Sequence, residues 1–296
     1  MRLVTRGDLD GLACAVIATT LDSEIEEVVL VHPQDITDRK VEINGADMLA
    51  NLPYHPDCGE WFDHHELTES NEKPPEDFVG RHEIVDSAAQ LIWEHYGSDP
   101  RFAELVRETN RLDAAKLSVL DVLHPKGFIL LGFTIDGRTG LGSFNDYFMR
   151  CMGWLQTMSI EEILAQAEVV ERDERLQREH KEFHQLIREH SEQRGNVIYS
   201  DFRTCEQPPA GNRFLVFAIY PDANVALRVQ WGPGRSIVAA TVGHSIFNRT
   251  CKTHVADLMS RYGGGGHARA GATPLPVDRA DELIKEILSE LSDSET

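Results

Sequence analysis

The sequence has few cysteines and no spacing of them that suggests a disulfide framework. Its five cysteines are scattered over 296 residues, and no C-x-x-C pair occurs. A scattered, odd-numbered set is typical of reduced thiols in a cytosolic protein rather than of a disulfide scaffold or a structural zinc site. The opening residues MRLVTRGDLDG also carry charges where a signal peptide needs an apolar run. We therefore expect a cytoplasmic location.

Long apolar stretches and an excess of basic residues are also lacking. No window approaches the roughly 18 apolar residues of a membrane-spanning helix, so we expect no membrane partner. Lys and Arg number 29 against 49 Asp and Glu, which gives a net charge of −20. A protein this acidic repels phosphate backbones, and this excludes broad binding to long duplex nucleic acid. It does not exclude a small phosphorylated substrate in a local pocket that contains a metal ion.

The chain is about twice as long as a typical domain of roughly 150 residues, which predicts two domains. In the first half, short apolar runs alternate with helical patterns, and this order predicts βαβ units with a mostly parallel sheet. The predicted strands are Arg2–Thr5, Val28–Val31, Asp47–Asn51 and Trp61–Phe62, and the predicted helices are Leu12–Thr20, Ser87–Tyr96 and Arg101–Leu112.

The segment 159–194 contains no Pro or Gly and predicts one or two long helices, with a capping box at Ser159 and Glu162 and a stop at Gly195. The later pattern predicts strands at Val197–Tyr199, Phe214–Tyr220, Val225–Trp231 and Ser236–Val242, and helices at Val255–Tyr262 and Asp281–Leu291. The predicted fold class is α/β, with an N-terminal parallel-sheet domain at 1–155, a helical connector at 156–195 and a smaller mixed α/β domain at 196–296.

Two acids, Asp8 and Asp10, follow the first predicted strand in a turn between Gly7 and Gly11. Carboxylates two residues apart in a turn can converge on a divalent cation, which prefers oxygen ligands. An ordinary turn also uses Asp and Gly for their backbone tolerance. For this motif alone, both interpretations stay open.

An acid and two imidazoles, Asp63, His64 and His65, follow the predicted strand at Trp61–Phe62. Together they offer a metal ligand, a proton donor and an orienting carboxylate. Functional groups of parallel sheets collect where strands end and loops begin, which favours a shared site with the upstream pair of acids.

A run of four glycines, Gly263–Gly266, precedes His267 and Arg269. Glycines leave backbone N–H groups unobstructed, so an anionic group can approach the main chain closely. A flexible linker would be rich in serine and would not lie between two predicted elements of one domain. We therefore predict an anion-binding loop.

A second glycine-rich turn at 136–140 contains Arg138, which is either a phosphate contact or part of an ordinary turn.

These motifs, in this order, resemble the DHH phosphoesterase family with a DHHA1 second domain. The likeness covers essentially the whole chain, and the pairing of a DHH tripeptide with a GGGGH loop is highly specific. Asp113 resembles the acid of the family's fourth motif. The resemblance implies metal-dependent hydrolysis of a phosphodiester or phosphoanhydride. Mn²⁺ is the expected ion and Mg²⁺ the alternative, with one or two ions per chain.

The resemblance also implies a role for each matched residue. The implied metal ligands are Asp8, Asp10, His64 and Asp113, and we add Asn51 as a candidate ligand at a position that departs from the family pattern. The implied catalytic residues are His65 as a donor to the phosphate and Asp63 as its orienting partner, and we add Arg6 as a candidate at a second departure. The implied substrate-binding residues are Ser87 at a helix start, Arg249, Gly264, Gly265, Gly266 and His267.

Two positions depart from the family pattern. Many members have a histidine just before the first aspartates, where this chain has Arg6, and a metal-bridging aspartate of the second motif corresponds to Asn51. Asp47 cannot replace it, because four strand residues at ~3.3 Å each place it about 13 Å away. We therefore expect one metal site to be more complete than the other, with Arg6 as a fixed cation beside the phosphate.

We predict that the substrate is a dinucleotide, a nano-RNA or another small nucleotide phosphate, or a short single-stranded oligonucleotide, held in the cleft between the domains. One alternative is an exopolyphosphatase-like phosphoanhydride hydrolase. Another is a catalytically impaired nucleotide-binding protein, suggested by Asn51 and Arg6. Apolar stripes on the connector are compatible with a homodimer.

Overall fold

The computed structural model describes residues 1–67, 72–135, 145–206 and 211–293. Contacts divide the chain into two compact units. The first contains Met1–Lys116 and Pro125–Leu176, and the second contains Leu117–His124 and the residues from Gln177 onward. The glycine-rich turn at 136–140 lies outside the described residues. The domain limits at 155 and 195 stay a prediction.

A parallel sheet forms the centre of the first unit, as the sequence predicts. Within the described residues, its strands are β1 (Arg2–Thr5), β2 (Glu27–Leu30), β3 (Asp47–Ala50), β4 (Glu60–Asp63) and β5 (Gly80–His82). Their spatial order is β2-β1-β3-β4-β5, and every pairing is parallel. The register aligns Thr5 with Ala50 and Ala50 with Phe62, so β1, β3 and β4 end side by side.

The second unit contains a mixed sheet. Its described strands are β6 (Ser191–Arg194), β7 (Val197–Asp201), β8 (Val225–Trp231), β9 (Ile237–His244), β10 (Gly265–His267) and β11 (Ala270–Pro276). Their spatial order is β10-β11-β9-β8-β7-β6, and β7 pairs with β8 in parallel while the other pairings are antiparallel. The predicted α/β fold class, with one parallel and one mixed sheet, is confirmed.

The described part of the chain also contains α-helices. They are α1 (Leu9–Leu21), α2 (Pro33–Thr37), α3 (Ala88–His95), α4 (Ala103–Asp113), α5 (Val119–Leu123), α6 (Gly127–Ile135), α7 (Asn145–Leu155), α8 (Ile160–Leu164), α9 (Ala167–His190), α10 (Leu215–Ile219), α11 (Val255–Ser260) and α12 (Ala280–Asp293). None of the helices in the described part of the chain has both the length and the apolar character needed to cross a membrane.

The three inner strands of the parallel sheet, β1, β3 and β4, are buried on both faces, which explains why they read as largely apolar runs. Along β1, Leu3 belongs to the apolar cluster that contains α1, and Val4 belongs to a separate cluster. Phe62 and Trp61 of β4 divide between the same two clusters. Alternate side chains of these strands therefore face opposite sides of the sheet, and each side packs against its own apolar cluster.

The segment 159–194 is largely helical, and the predicted capping box between Ser159 and Glu162 is present. Two local predictions are wrong. Gly195 does not end a helix, because α9 stops at His190 and Gly195 turns the chain between β6 and β7 with φ 61°. The predicted strand at Phe214–Tyr220 is helix α10, which begins where the Asn212 side chain accepts a hydrogen bond from the N–H of Phe214. A short apolar run does not distinguish a buried strand from a buried helix.

Candidate active site

Polar residues follow three parallel strands at the same edge of the first sheet. β1 is followed by Arg6 and Asp8, β3 by Asn51, and β4 by His64. The backbone N–H of Asn51 donates to the carbonyl oxygen of Phe62 at 3.0 Å, which ties the end of β3 to β4. The register of the strands therefore brings together residues that are far apart in the sequence.

The turn after β1 positions Asp8 and Asp10. Asp8 is the N-cap of α1, and its Oδ1 accepts a hydrogen bond from the N–H of Gly11 at 3.0 Å. A Cβ at position 11 would lie 1.9 Å from the carbonyl oxygen of Arg6, so this close approach requires glycine. Asp10 lies in the first turn of α1 and is only 1% exposed. One turn thus places two carboxylates at the sheet edge.

The Asp10 carboxylate binds the N-terminus of α3. Its Oδ1 accepts from the N–H of Ala89 at 2.8 Å, and its Oδ2 accepts from the N–H of Ala88 at 3.0 Å. Burial, together with the charges of Asp113 and Asp8, nevertheless raises the pKa of Asp10 well above its usual value. A nearby divalent cation would reverse this shift and favour the ionised carboxylate.

His64 completes a cluster of three metal-ligating side chains. Its Nδ1 lies 3.1 Å from the carbonyl oxygen of Val85, so Nδ1 carries the proton and Nε2 carries the free lone pair. Nε2 is buried without a hydrogen-bond partner, 3.2 Å from Asp113 Oδ2 and 3.6 Å from Asp10 Oδ2. The ligand atoms of all three residues lie within 4.8 Å of one another. An unpartnered imidazole nitrogen that faces two carboxylates fits a divalent cation.

A second group of ligand atoms, from Asp63, His64 and His65, also lies within 4.8 Å. In this group, Asp63 Oδ1 and His65 Nδ1 are hydrogen-bonded to each other at 2.8 Å. The group formed by Asp10, His64 and Asp113 therefore fits a cation better.

His65 lies on the open side of the cluster, where 45% of its side chain is exposed. Burial alone lowers the pKa of His65, but the hydrogen bond and charge of Asp63 outweigh it. With the charges of Asp113 and Asp10, they raise the pKa of His65 to about 9. At neutral pH the ring is therefore a cation, and its Nε2 can donate a proton to a phosphoryl or leaving-group oxygen.

Arg6 and Asn51 both contact Asp8. Arg6 Nε lies 3.0 Å from Asp8 Oδ2, and Asn51 Nδ2 donates to Asp8 Oδ1 at 3.0 Å. Asn51 has φ 56°, in the left-handed region that Asn tolerates better than most residues. Asp47, at the start of β3, pairs with Arg2 at 2.7 Å instead, in line with the distance expected from the sequence.

The Ser87 hydroxyl, expected from the sequence to bind substrate, is used here for contacts within the protein. Ser87 is fully buried, its Oγ accepts from the N–H of Gln90 at 3.1 Å, and it donates to Asn110 Oδ1 at 2.5 Å. The next two N–H groups of this helix start bind Asp10. The anion expected at this helix N-terminus is therefore the protein's own carboxylate.

In the second unit, the predicted loop is present only in part, because Gly263 lies in a turn and Gly264 in irregular structure, whereas Gly265 and Gly266 belong to strand β10. β10 lies at the edge of the sheet and pairs with β11, with Gly266 opposite Gly271. A Cβ on Gly264 would lie 2.1 Å from the carbonyl oxygen of Ala272, whereas a Cβ on Gly265 would meet nothing within 4 Å. His267 is exposed at the end of β10. Close packing against β11 therefore explains part of the glycine content.

A basic cavity of ≈ 180 Å³ lies in the second unit, next to the turn that follows β10. The side chains that can carry positive charge along its wall are His244, Arg249, Lys252, His254 and Arg269. Arg249 and Arg269 were expected near an anion, but the sequence interpretation missed Lys252 and His254. The density of basic residues over 249–254 was the available signal. A cavity of this charge suits a phosphate group.

Known structures show which family has this arrangement. PggH, a pGpG-specific phosphodiesterase from Vibrio cholerae, has 33% sequence identity, with 99% of this chain and 99% of that chain aligned and a TM-score of 0.88. The chain belongs to the DHH phosphoesterase family. Like the family, it is a hydrolase that acts on phosphate ester bonds. No protein-family model and no curated protein matched the sequence.

More distant structures share the fold alone. RecJ from Thermus thermophilus, in complex with Mn²⁺, has 13% identity and a TM-score of 0.59 over 99% of this chain and 52% of RecJ. An exopolyphosphatase-related protein from Bacteroides fragilis has 11% identity and a TM-score of 0.56 over 99% of this chain and 92% of that protein. These two likenesses concern the fold and carry no further statement about activity.

Proposed function

We propose that this DHH protein is a metal-dependent phosphodiesterase that hydrolyses a 5′-phosphorylated dinucleotide to mononucleotides. The observation that carries the proposal is the buried, unpartnered Nε2 of His64 between Asp10 and Asp113. The identity of 33% with the pGpG-specific PggH over 99% of both chains supports a linear dinucleotide, with pGpG as the first substrate to test.

The ligand cluster of Asp10, His64 and Asp113 would hold Mn²⁺ or Mg²⁺, and the imidazole ligand favours Mn²⁺. When bound, such an ion stabilises charge on phosphoryl oxygens and makes water more acidic. The protein supplies the rest of the chemistry. His65, held by Asp63 at 2.8 Å, would donate a proton from Nε2 to the departing 3′ oxygen. As the water oxygen bonds to phosphorus and the P–O3′ bond breaks, the water loses one proton, which restores the proton given up by His65, and the products are two mononucleotides.

The second unit would bind the other phosphate of the dinucleotide. Arg249 and Lys252 supply charge to its basic cavity. Gly265 leaves the edge strand open, because nothing lies within 4 Å of the position a Cβ would take. That both units contact one substrate is part of this proposal. Cytoplasmic location and a homodimeric state also remain proposals, based on the sequence.

The test is incubation of the purified protein with pGpG and Mn²⁺. We expect release of mononucleotides by the native protein and none by His64→Ala, while His95→Ala, on the exposed end of α3, serves as a matched histidine control. Phosphate release from polyphosphate without cleavage of pGpG would contradict the proposal and favour the exopolyphosphatase alternative. Tight nucleotide binding without turnover would favour the impaired, nucleotide-binding alternative.

A further inference from the structure

Both oxygens of the Asp8 carboxylate are already occupied by the protein's own donors. Oδ1 accepts from the N–H of Gly11 at 3.0 Å and from Nδ2 of Asn51 at 3.0 Å. Oδ2 lies 3.0 Å from Nε of Arg6. A metal ion at Asp8 would have to displace at least one of these donors.

Asn51 presents its nitrogen, not its oxygen, to this carboxylate. The hydrogen bond to Asp8 fixes the orientation of the amide, because the opposite orientation would face two oxygens at each other. An amide N–H₂ is a donor and cannot ligate a cation. The Oδ1 of Asn51 is buried and has no hydrogen-bond partner, which leaves it free to bind an ion or water on the other side.

Asp8 is also separated from the candidate metal ligands by its position. Among the described residues, it belongs to neither of the two groups of ligand atoms that lie within 4.8 Å of one another. Asp10, His64 and Asp113 form such a group, and there the Nε2 of His64 has no donor in front of it. The two aspartates of one turn thus face different partners, a metal-ligand set and a guanidinium.

Charge balance gives an independent reason for this division. Asp8, Asp10 and Asp113 bring three negative charges, which one divalent ion and Arg6 neutralise together. A second divalent ion would leave a net excess of positive charge in a largely buried site, and uncompensated buried charge is strongly unfavourable. Asp63 is left out of this count because its Oδ1 is hydrogen-bonded to Nδ1 of His65 at 2.8 Å.

We infer that the active site holds a single divalent ion, bound by Asp10, His64 and Asp113, and that the Arg6 guanidinium serves as the second cation. Phosphodiester cleavage benefits from positive charge on both sides of the phosphorus, and an arginine can provide it in place of an ion. The Arg6 side chain is 33% exposed, so its terminal N–H groups can reach a phosphoryl oxygen while Nε stays on Asp8. Asn51 keeps Asp8 in position for this pairing.

Because this assignment rests on the proposed metal-dependent function, its test measures metal binding and not turnover. The chelator-treated protein is titrated with Mn²⁺ by calorimetry, and electron paramagnetic resonance reports whether the bound ions are isolated or magnetically coupled. We expect one isolated Mn²⁺ per chain in the native protein. In the double variant Arg6→His with Asn51→Asp, we expect two coupled ions, because both donors on Asp8 are replaced by ligands.

Two coupled ions in the native protein would overturn the inference but leave the proposed function intact. A single ion in the double variant would show that Arg6 and Asn51 do not exclude the second ion, and would also overturn it. No Mn²⁺ binding to the native protein would overturn the inference and the proposed function together. Inorganic phosphate provides a second readout. Its affinity for the Mn²⁺-loaded protein should fall about tenfold in Arg6→Ala, for the loss of about 1.4 kcal/mol of interaction.

Discussion

The Asp10 carboxylate accepts a hydrogen bond from the backbone N–H of Ala89 at 2.8 Å, although the two residues are 79 positions apart. This contact makes the start of α3 part of the proposed metal site, because the helix holds one of the proposed ligands in place. Ser87 caps the same helix, is fully buried, and uses its hydroxyl for hydrogen bonds within the protein. Its role is therefore to position the N–H groups that bind Asp10.

Ser87→Ala should weaken metal binding without a direct effect on substrate binding. We expect a loss of about 1 kcal/mol in the free energy of unfolding, as for other N-cap serines. Mn²⁺ affinity should fall roughly 10-fold or more, because outer-shell partners orient the ligand. Denaturant unfolding and calorimetry measure the two effects. Ser118→Ala removes the N-cap of α5 and should lower stability alone. A rise in KM at saturating Mn²⁺ would instead restore a substrate-binding role for Ser87.

Asp113→Asn should stabilise the metal-free protein and abolish Mn²⁺ binding. Burial, followed by the charge of Asp8, raises the pKa of Asp113, and the charges of His64, His65 and Arg6 only partly offset this. A carboxyl with a raised pKa makes the folded state less stable as pH rises above the unfolded-state pKa, and a neutral amide removes that loss. With a chelator present at neutral pH, we expect Tm to rise by roughly 2–4 °C per kcal/mol gained.

The control for this variant is Asp57→Asn, because the Asp57 side chain is 66% exposed and lies outside the cluster. It should change neither Tm nor Mn²⁺ affinity. A lower Tm in Asp113→Asn without metal would mean that Asp113 stabilises the fold through contacts other than charge.

The alkaline limit of activity should depend on the Asp63–His65 pair. The folded-state pKa of His65 is raised from 6.5 to about 9. The stabilising effect of the pair is therefore complete below pH 6.5 and is lost as pH rises through about 9. In the metal-free protein, NMR titration of the His65 ring should give a midpoint near this value. In Asp63→Asn we expect the midpoint to move to lower pH, and the alkaline fall of kcat to move with it.

If the Asp63→Asn variant kept the same ring titration, another charge would have to hold the proton on His65. If the ring titration moved but the pH profile of kcat did not, His65 would not be the proton donor. The second outcome would leave the metal cluster untouched, because His64 and not His65 faces Asp10 and Asp113.

Gly264→Ala and Gly265→Ala should separate folding from substrate binding in the second unit. The first variant places a Cβ 2.1 Å from a backbone carbonyl, whereas the second meets nothing within 4 Å. We expect Gly264→Ala to lower stability by about 1–3 kcal/mol, since the clash is with backbone. Gly265→Ala should keep the native Tm but raise KM, because its methyl group covers backbone that the substrate approaches. An unchanged KM in Gly265→Ala would remove this strand from the binding site.

Arg249→Ala and Lys252→Ala should raise KM with little change in kcat. Both residues line the basic cavity, and a hydrogen bond to a charged phosphate contributes about 1.5–3 kcal/mol, or roughly a 10- to 100-fold effect. Lys285→Ala on the exposed face of α12 is the matched control and should leave KM unchanged. If kcat and kcat/KM fell equally and KM did not change, the cavity residues would stabilise the transition state and not the bound substrate.

The fold class and the convergence of Asp8, Asp10 and His64 could be predicted from the sequence, because strand ends in a parallel sheet meet at one edge. Short apolar runs in alternation with helical patterns located β1, α1 and β4 within a few residues. The placement of Ser87 could not be predicted, because a helix start that binds an internal carboxylate has the same local sequence as one that binds a ligand.

Other differences arose where short segments depend on distant neighbours. The apolar run at Phe214–Tyr220 is compatible with a strand or a helix. In the structure, the Asn212 side chain accepts a hydrogen bond from the N–H of Phe214 at the start of the helix. Gly265 and Gly266 are part of strand β10 because they pair with β11. The orientation of the Asn51 amide follows from Asp8, 43 positions earlier. A sequence pattern taken over a few neighbouring residues does not reveal which distant residues will be in contact.

The contact between position 11 and the carbonyl oxygen of Arg6 has a consequence for how this enzyme can be altered. A Cβ at this position would lie 1.9 Å from that oxygen, so any residue other than glycine would push the start of α1 away from the turn that carries Asp8. A change of ion preference is therefore better sought in side chains than in the backbone of this turn. An engineer who wants a different metal should vary positions 6, 51 and 113 and leave the turn alone.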